Sequence, residues 1–170
     1  MAPNFEEYRS ESLIDNIKAR INKMAFRKQD TTKLFQRGDQ VEVASQEWGY
    51  IGAYYTATIV SLIGNSHYRV QYTNLVNDDK SDLLEEIVTA SEIRPMPPKQ
   101  HETLLIPEDI RMYDIVDVFD NDGWWIGFIS GRHEENYYVY FPTTGDNVAY
   151  PPQLLRFHQE WSKGKWISSN

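Results

Sequence analysis

A pattern of short, alternating segments occurs twice in this chain, and that repeat restricts the fold more than any other feature. Gly38-Asp39-Gln40-Val41-Glu42-Val43 is answered by Tyr113-Asp114-Ile115-Val116-Asp117-Val118. Tyr54-Tyr55-Thr56-Ala57-Thr58-Ile59 is answered by Trp124-Trp125-Ile126-Gly127-Phe128-Ile129. Tyr68-Arg69-Val70-Gln71-Tyr72 returns as Tyr137-Tyr138-Val139-Tyr140-Phe141, and Ile93-Arg94 as Leu155-Arg156. Within each segment apolar and polar residues alternate with period two, the signature of a half-buried strand. Gly64-Asn65-Ser66 separates two such runs as a hairpin turn. Ile87, Val88 and Ile93 add two more short strands, and Pro95, Pro97 and Pro98 end the unit. Each copy is thus about 60 residues with about five short strands, the size of a small barrel whose closure hides its sheet edges.

The expected class is therefore mainly β, with two tandem five-stranded barrels. One occupies residues 34–98 and the other residues 109–166, joined by a linker at 99–108. Neither unit has room for a long internal helix, which argues against a parallel α/β sheet. Units this small bury little core alone, so the two are expected to pack as one body with a groove between them. Residues 1–33 hold one helix signal and a connecting segment. Leu13, Ile14, Ile17, Ile21 and Met24 recur at helical spacing, opposite a basic side of Lys18, Arg20, Lys23, Arg27 and Lys28. Such an amphipathic helix packs on a neighbouring element or mediates self-association.

Charge limits the partners. The chain carries 17 Lys and Arg against 25 Asp and Glu, a formal net charge of -8. Nucleic-acid binding needs a basic face and is not expected. An acidic surface instead draws a cationic peptide. Cysteine is absent, which removes disulfides, thiolate metal sites and cysteine nucleophiles. No run approaches the about 18 apolar residues of a membrane span, so no membrane partner is expected. The acidic, polar stretch from Phe5 to Glu11 does not read as a signal peptide.

Aromatic residues point to a binding site. The turn between the first two strands reads Glu47-Trp48-Gly49-Tyr50-Ile51-Gly52-Ala53-Tyr54-Tyr55. Rings on a glycine-flanked turn face the mouth of a small barrel, and Tyr72 ends the third strand near the same mouth. Walls of aromatic rings attract a methylated ammonium through cation–π interaction. Methylation keeps the charge but weakens hydration, which favours the methylated form over bare lysine. The expected cage is Trp48, Tyr50, Tyr54, Tyr55 and Tyr72. Glu47, Asp78, Asp79 and Asp82 form its acidic rim, within a cluster that continues to Glu85 and Glu86. A carboxylate beside a cage favours mono- or dimethyl-lysine, which still donates an N–H. In the second unit Phe119, Asp122, Trp124, Trp125 and Phe141 form a weaker or different pocket.

Catalytic chemistry finds no support. His67, His101, His133 and His158 are scattered without ligand spacing, so no metal and no cofactor are expected. His133-Glu134-Glu135 lacks the second histidine of a helical zinc site. No phosphate-binding or nucleophile-elbow motif occurs.

Several of these segments resemble plant Agenet domains, a branch of the Tudor-like Royal superfamily. Residues 35–43 resemble the opening of the first Agenet unit, and Gly49-Tyr50-Ile51-Gly52-Ala53-Tyr54-Tyr55-Thr56-Ala57 its aromatic turn and second strand. Asn121-Asp122-Gly123-Trp124-Trp125-Ile126-Gly127, Tyr140-Phe141-Pro142-Thr143-Thr144-Gly145 and His158-Gln159-Glu160-Trp161 resemble the second unit and its exit. The resemblance covers residues 35–166. It implies tandem Tudor-like barrels that bind histone H3 tails. One plant subgroup reads the H3K9me2 mark in heterochromatin, hence gene silencing and a nuclear location. It also implies cage positions at Trp48, Tyr55 and Tyr72, with Tyr50 and Tyr54 as substitutes for Trp48, whose position is often small or acidic in the family. The alternative left open is a scaffold for non-histone or unmethylated partners.

Overall fold

The structure, a computed structural model, describes residues 5–98 and 109–170, with side chains from residue 10 onward. The expected linker at 99–108, including His101, lies outside the described residues. Among the described residues the first element is helix α1 (Phe5–Ala25), followed by strands β1 (Gln40–Ala44), β2 (Ala53–Ile63), β3 (His67–Val76), β4 (Leu83–Thr89) and β5 (Ile93–Pro95). The second copy is β6 (Ile115–Asp120), β7 (Gly123–His133), β8 (Asn136–Phe141), β9 (Asp146–Tyr150) and β10 (Leu155–Phe157). A hairpin of β11 (Gln159–Ser162) and β12 (Lys165–Ser168) follows.

Both units use one antiparallel scheme. In the first, β1 pairs with β2, β2 with β3 and β3 with β4, while β5 returns to pair with β1. In the second, β6, β7, β8 and β9 repeat that order and β10 returns to β6. A register shift bends β2 between Ile59 and Ser61, and the same irregularity bends β7 between Ile129 and Gly131. Such shifts let one long strand serve two faces of a curled sheet. The expected closed barrel is corrected in one respect. No ladder joins β4 to β5 or β9 to β10, because a short 3-10 turn (Ala90–Glu92, Pro152–Leu154) separates each pair. The units are curled, open sheets.

Each unit wraps its own core. Val41, Val43, Ala57, Ile59, Tyr68, Val70 and Ile93 fill the first, and Val116, Val118, Ile129, Tyr137, Val139 and Leu155 fill the second. The units then join edge to edge through β2 and β7, with Ala53 opposite Trp125 and Tyr54 opposite Trp124. Tyr54 and Trp124 are equivalent positions of the repeat, so the junction has local twofold symmetry in sequence. Trp125 packs against both cores, and Tyr55 lies over Gly123, where an added Cβ would come within 2.8 Å of the Tyr55 ring.

Helix α1 covers this junction. Ile17, Ile21 and Ala25 pack with Ile115, Ile126 and Phe128, and Ile14, Met24, Ile51 and Tyr140 border the cluster. The stripe that would serve self-association is thereby used within the chain. Lys18 Nζ sits 4.9 Å from the centre of the Tyr140 ring, and Arg20 donates to the Ser169 carbonyl. Among the described residues, no helix is long and apolar enough to cross a membrane.

Candidate functional site

The loop at residues 45–52 is the main difference between the two units. In the second unit the equivalent strands are joined by Asn121 and Asp122 alone, both at positive φ (47 and 64). That is the geometry of a tight two-residue hairpin turn. In the first unit the loop folds on itself, the Tyr50 N–H donating to the Glu47 carbonyl and the Ala53 N–H to the Tyr50 carbonyl. Gly52 has φ +88, which favours glycine, and an added Cβ would fit only tightly, 3.1 Å from Ile126 Cγ2. The inserted residues push aromatic side chains into solvent. Trp48 is 92% exposed and Tyr50 49% exposed.

Beside this loop, Tyr55 and Tyr72 stand at right angles with ring centroids 6.3 Å apart. Both are buried along their bodies, at 8% and 5% exposure. The Tyr72 hydroxyl donates to Glu86 Oε2 at 2.7 Å. Burial, followed by that bond, holds the Tyr72 phenol well above its ordinary range. The Tyr55 phenol is pushed up to about 12, first by burial and then by the nearby Tyr50 and Asp122. Both rings therefore stay neutral at physiological pH, the state in which a ring face attracts a cation. Trp48, Tyr50, Tyr55, Tyr72 and Glu47 thus belong to one end of the first unit. Glu86 supplies the carboxylate bonded to Tyr72.

The remaining expected residues fall elsewhere. Tyr54 is only 2% exposed and faces the junction, with the Arg94 guanidinium 3.7 Å from its ring centre. Its face is already occupied, so it is no cage wall. Asp78, Asp79 and Asp82 lie in the exposed turn between β3 and β4. That turn bonds to itself: the Asn77 N–H donates to the Asp82 carbonyl, and the Ser81 hydroxyl and N–H donate to Asp79 Oδ1. In the second unit, Phe141 packs edge-on against Tyr150, whose hydroxyl donates to Asp120 Oδ2 at 2.8 Å. Trp125 Nε1 donates to the Asp120 carbonyl. Phe119 packs against Trp124, whose ring carries Arg156 at 4.1 Å. This set is largely packing, and only Asp122 projects freely at the turn.

Sequence reasoning missed a buried ionic cluster at the junction. Glu42 and Arg94 face each other across β1 and β5, and Asp117 and Arg156 do so across β6 and β10. Arg94 donates from Nε and Nη2 to Glu42 Oε1. Arg156 donates from Nη1 to Glu42 Oε2 and from Nε to Asp117 Oδ2, tying the units together. His158 Nδ1 lies 2.6 Å from Asp117 Oδ1, its Nε2 lies 3.6 Å from Glu160, and Arg94 donates to the Gln159 carbonyl of β11. Burial disfavours charge on His158, but Asp117 and Glu160 outweigh it and raise its pKa. Asp117 is likewise penalised by burial, yet His158, Arg156 and Arg94 hold it well below the usual carboxylate range. The signal was present: the repeat places acid on acid (Glu42, Asp117) and arginine on arginine (Arg94, Arg156).

The curled tandem sheets define a Tudor-like fold. Comparison with known proteins gives the family: residues 38–98 match the Agenet domain model, and the chain belongs to the Agenet family. It is 34% identical over 136 residues to "Protein AGENET DOMAIN (AGD)-CONTAINING P1" of Arabidopsis thaliana, covering 79% of this chain and 26% of that protein. It is 36% identical to "DUF724 domain-containing protein 3" of the same plant, covering 75% of this chain and 19% of that one. The chain thus spans only about a quarter or less of these relatives. Among solved structures, the Arabidopsis thaliana AGDP1 AGD34 module matches with a TM-score of 0.72 and 28% identity over 91% of this chain and 96% of the other. The ADCP1 tandem Agenet domain 3-4 matches at 0.69 and 26% identity over 92% and 96%. The Agenet, Tudor-like fold is related to that of chromatin-associated readers, a typically non-catalytic class.

Proposed function

We propose that this protein is a nuclear chromatin reader that binds a methylated lysine of the histone H3 tail at the aromatic end of its first unit. The mark that fits the family resemblance best is H3K9me2, with a role in heterochromatin and gene silencing. The observation that carries the reading is the perpendicular Tyr55–Tyr72 pair, buried beside a loop that holds Trp48 at 92% exposure. An indole free in solvent is a wall able to close on a methylammonium, while Tyr55 and Tyr72 are held by packing. Glu47 and Glu86 add negative charge at the same end, and the net charge of -8 favours approach of a basic tail.

Calorimetric titration with H3 peptides tests this. Dimethylated peptide is expected to bind more tightly than unmodified peptide, and Trp48→Ala or Tyr72→Ala to remove about 2 kcal/mol of that preference. Equal affinity for both peptides, or unchanged binding by both variants, would contradict it and favour a scaffold for unmethylated partners.

A further inference from the structure

The net charge of -8 is unevenly spread along the chain. Residues 16–38 hold seven Lys and Arg and a single acid, Asp30, and residues 161–170 hold Lys163 and Lys165 and no acid. The fold joins these two segments. The Arg20 guanidinium donates to the Ser169 carbonyl at 2.8 Å, and the Ser169 hydroxyl lies 3.7 Å from Met24 Sδ. Just after α1, Asp30 ties the chain to the β11–β12 turn. Hydrogen bonds from Thr32, followed by those from the backbone of Lys163 and Gly164, hold its carboxyl below the ordinary value. The one acid of the region is thus engaged by backbone, and it brings exposed Lys163 and Lys165 beside the segment leaving α1. On the helix, Arg20, Lys23 and Arg27 recur at i, i+3 and i+7, a stripe next to the buried one of Ile17, Ile21 and Ala25. All three are exposed, as is Lys28. The ion pairs among the described residues lie in the junction cluster, and none of these six cations takes part in one. The basic face adjoins the aromatic end of the first unit. Ile51 of the aromatic loop borders the helix cluster, and a Cβ added to Gly52 would lie 3.5 Å from Ala25 Cβ.

We infer that the cationic face of α1, completed by the β11–β12 turn, docks on the phosphate backbone of duplex DNA. Whole-chain acidity argues against nucleic acid, but folding separates the charges, and docking depends on the local field rather than the net charge. Arg20 to Arg27 spans about 10 Å along the helix axis, the rise of about three nucleotides in one duplex strand. Contacts of this kind read no sequence and release counterions, so binding is steeply salt-dependent. An anionic bilayer suits the face less well. A helix enters a membrane interface by its apolar stripe, and that of α1 is already covered by Ile115, Ile126 and Phe128. Single strands need a row of aromatic platforms, and residues 16–28 contain only Phe26. The inference goes beyond the methyl-lysine reading and does not depend on it, because the face is cationic whatever the aromatic end holds. Where both hold, a histone tail and the neighbouring duplex are gripped at adjacent places, and two modest contacts act as one bivalent attachment.

Fluorescence anisotropy with a short labelled duplex, measured across a range of salt, tests this. The wild type is expected to bind with log affinity falling against log salt at a slope of about -4, as for about four phosphate contacts. Lys23→Gln/Arg27→Gln replaces two exposed cations by good helix formers. It is expected to lose about tenfold in affinity and to flatten the slope by about 2. Lys80→Gln/Arg132→Gln removes the same charge from the β3–β4 turn and the end of β7, and a loss of about twofold or less is expected. Thermal melts verify that each variant is folded. A wild type that does not bind the duplex at low salt, or equal losses in the two double variants, overturns the inference. Binding to phosphatidylserine vesicles but not to duplex assigns the face to a lipid surface instead. Self-association that Lys23→Gln/Arg27→Gln abolishes, without duplex binding, assigns it to a second copy of the chain. Dimethylated H3 peptide is titrated into the same proteins. Peptide binding kept by Lys23→Gln/Arg27→Gln supports two separate sites, and duplex binding without any peptide binding contradicts the methyl-lysine reading alone.

Discussion

Small residues at the junction decide whether large rings can lie across it. Gly123 accepts the Tyr55 ring at a distance no Cβ tolerates, and Ala53 lies opposite Trp125. Gly123→Ala must displace Tyr55 or separate β2 from β7. The expected cost is about 1–3 kcal/mol, as for other overpacked cores, read as a lowered thermal midpoint. An unchanged midpoint would mean the ring is not held there. Arg94 is fully buried beneath Tyr54 and bonded to Glu42, so Arg94→Met leaves a buried carboxylate with one partner fewer. A loss of about 3–5 kcal/mol is expected, the usual effect of removing one member of a buried charge pair. Denaturant unfolding measures it.

At the scale of elements, repeated strands were legible and their surroundings were not. Period-two alternation at Val41 to Val43, Tyr55 to Ile59 and Tyr68 to Tyr72 marked β1, β2 and β3 because one face of each strand is apolar. The same rule assigns the intervening polar positions to solvent. Glu42 and Asp117 break it, since their faces are covered by the other unit and by the hairpin of β11 and β12. Tyr54 and Trp124 failed likewise: a doubled aromatic reads as cage or core, and only the partner arginines show that their faces are filled. Trp48, by contrast, was legible as an exposed ring because glycines on a turn leave it no core to enter. Helix α1 gives the element-scale prediction. Deleting residues 1–30 uncovers Ile115, Ile126 and Phe128. Light scattering is then expected to show increased self-association of the truncated protein. Loss of an existing oligomer on deletion would instead make the helix an assembly element.

For the whole molecule, the ionic cluster couples the units to pH. Its three acids (Glu42, Asp117, Glu160) and three bases (Arg94, Arg156, His158) balance only while His158 is protonated. Because the folded-state pKa of His158 is raised from 6.5, its contribution is full below that value and is lost as pH rises through the folded value. Asp117 is shifted down from 3.8, so its contribution is present above that value and is lost as pH falls through its folded one. Stability is thus expected to be highest between the two and to decline on the alkaline side. His158→Gln should flatten that alkaline decline, which thermal melts across pH would register. An unaltered slope would place the titration elsewhere.

The units resemble each other in sequence, yet the turns between their first two strands differ. One carries an eight-residue aromatic loop and the other a two-residue turn. A ligand is therefore expected at the loop-bearing end of the first unit. Backbone and indole NMR resonances of the full chain, followed during titration with an H3 peptide carrying the H3K9me2 mark, test it directly. Shifts should concentrate on Trp48, Tyr50, Tyr55, Tyr72, Asp122 and Gly123. Shifts centred on Phe141 and Tyr150, or none at saturating peptide, would contradict the assignment of binding to the first unit.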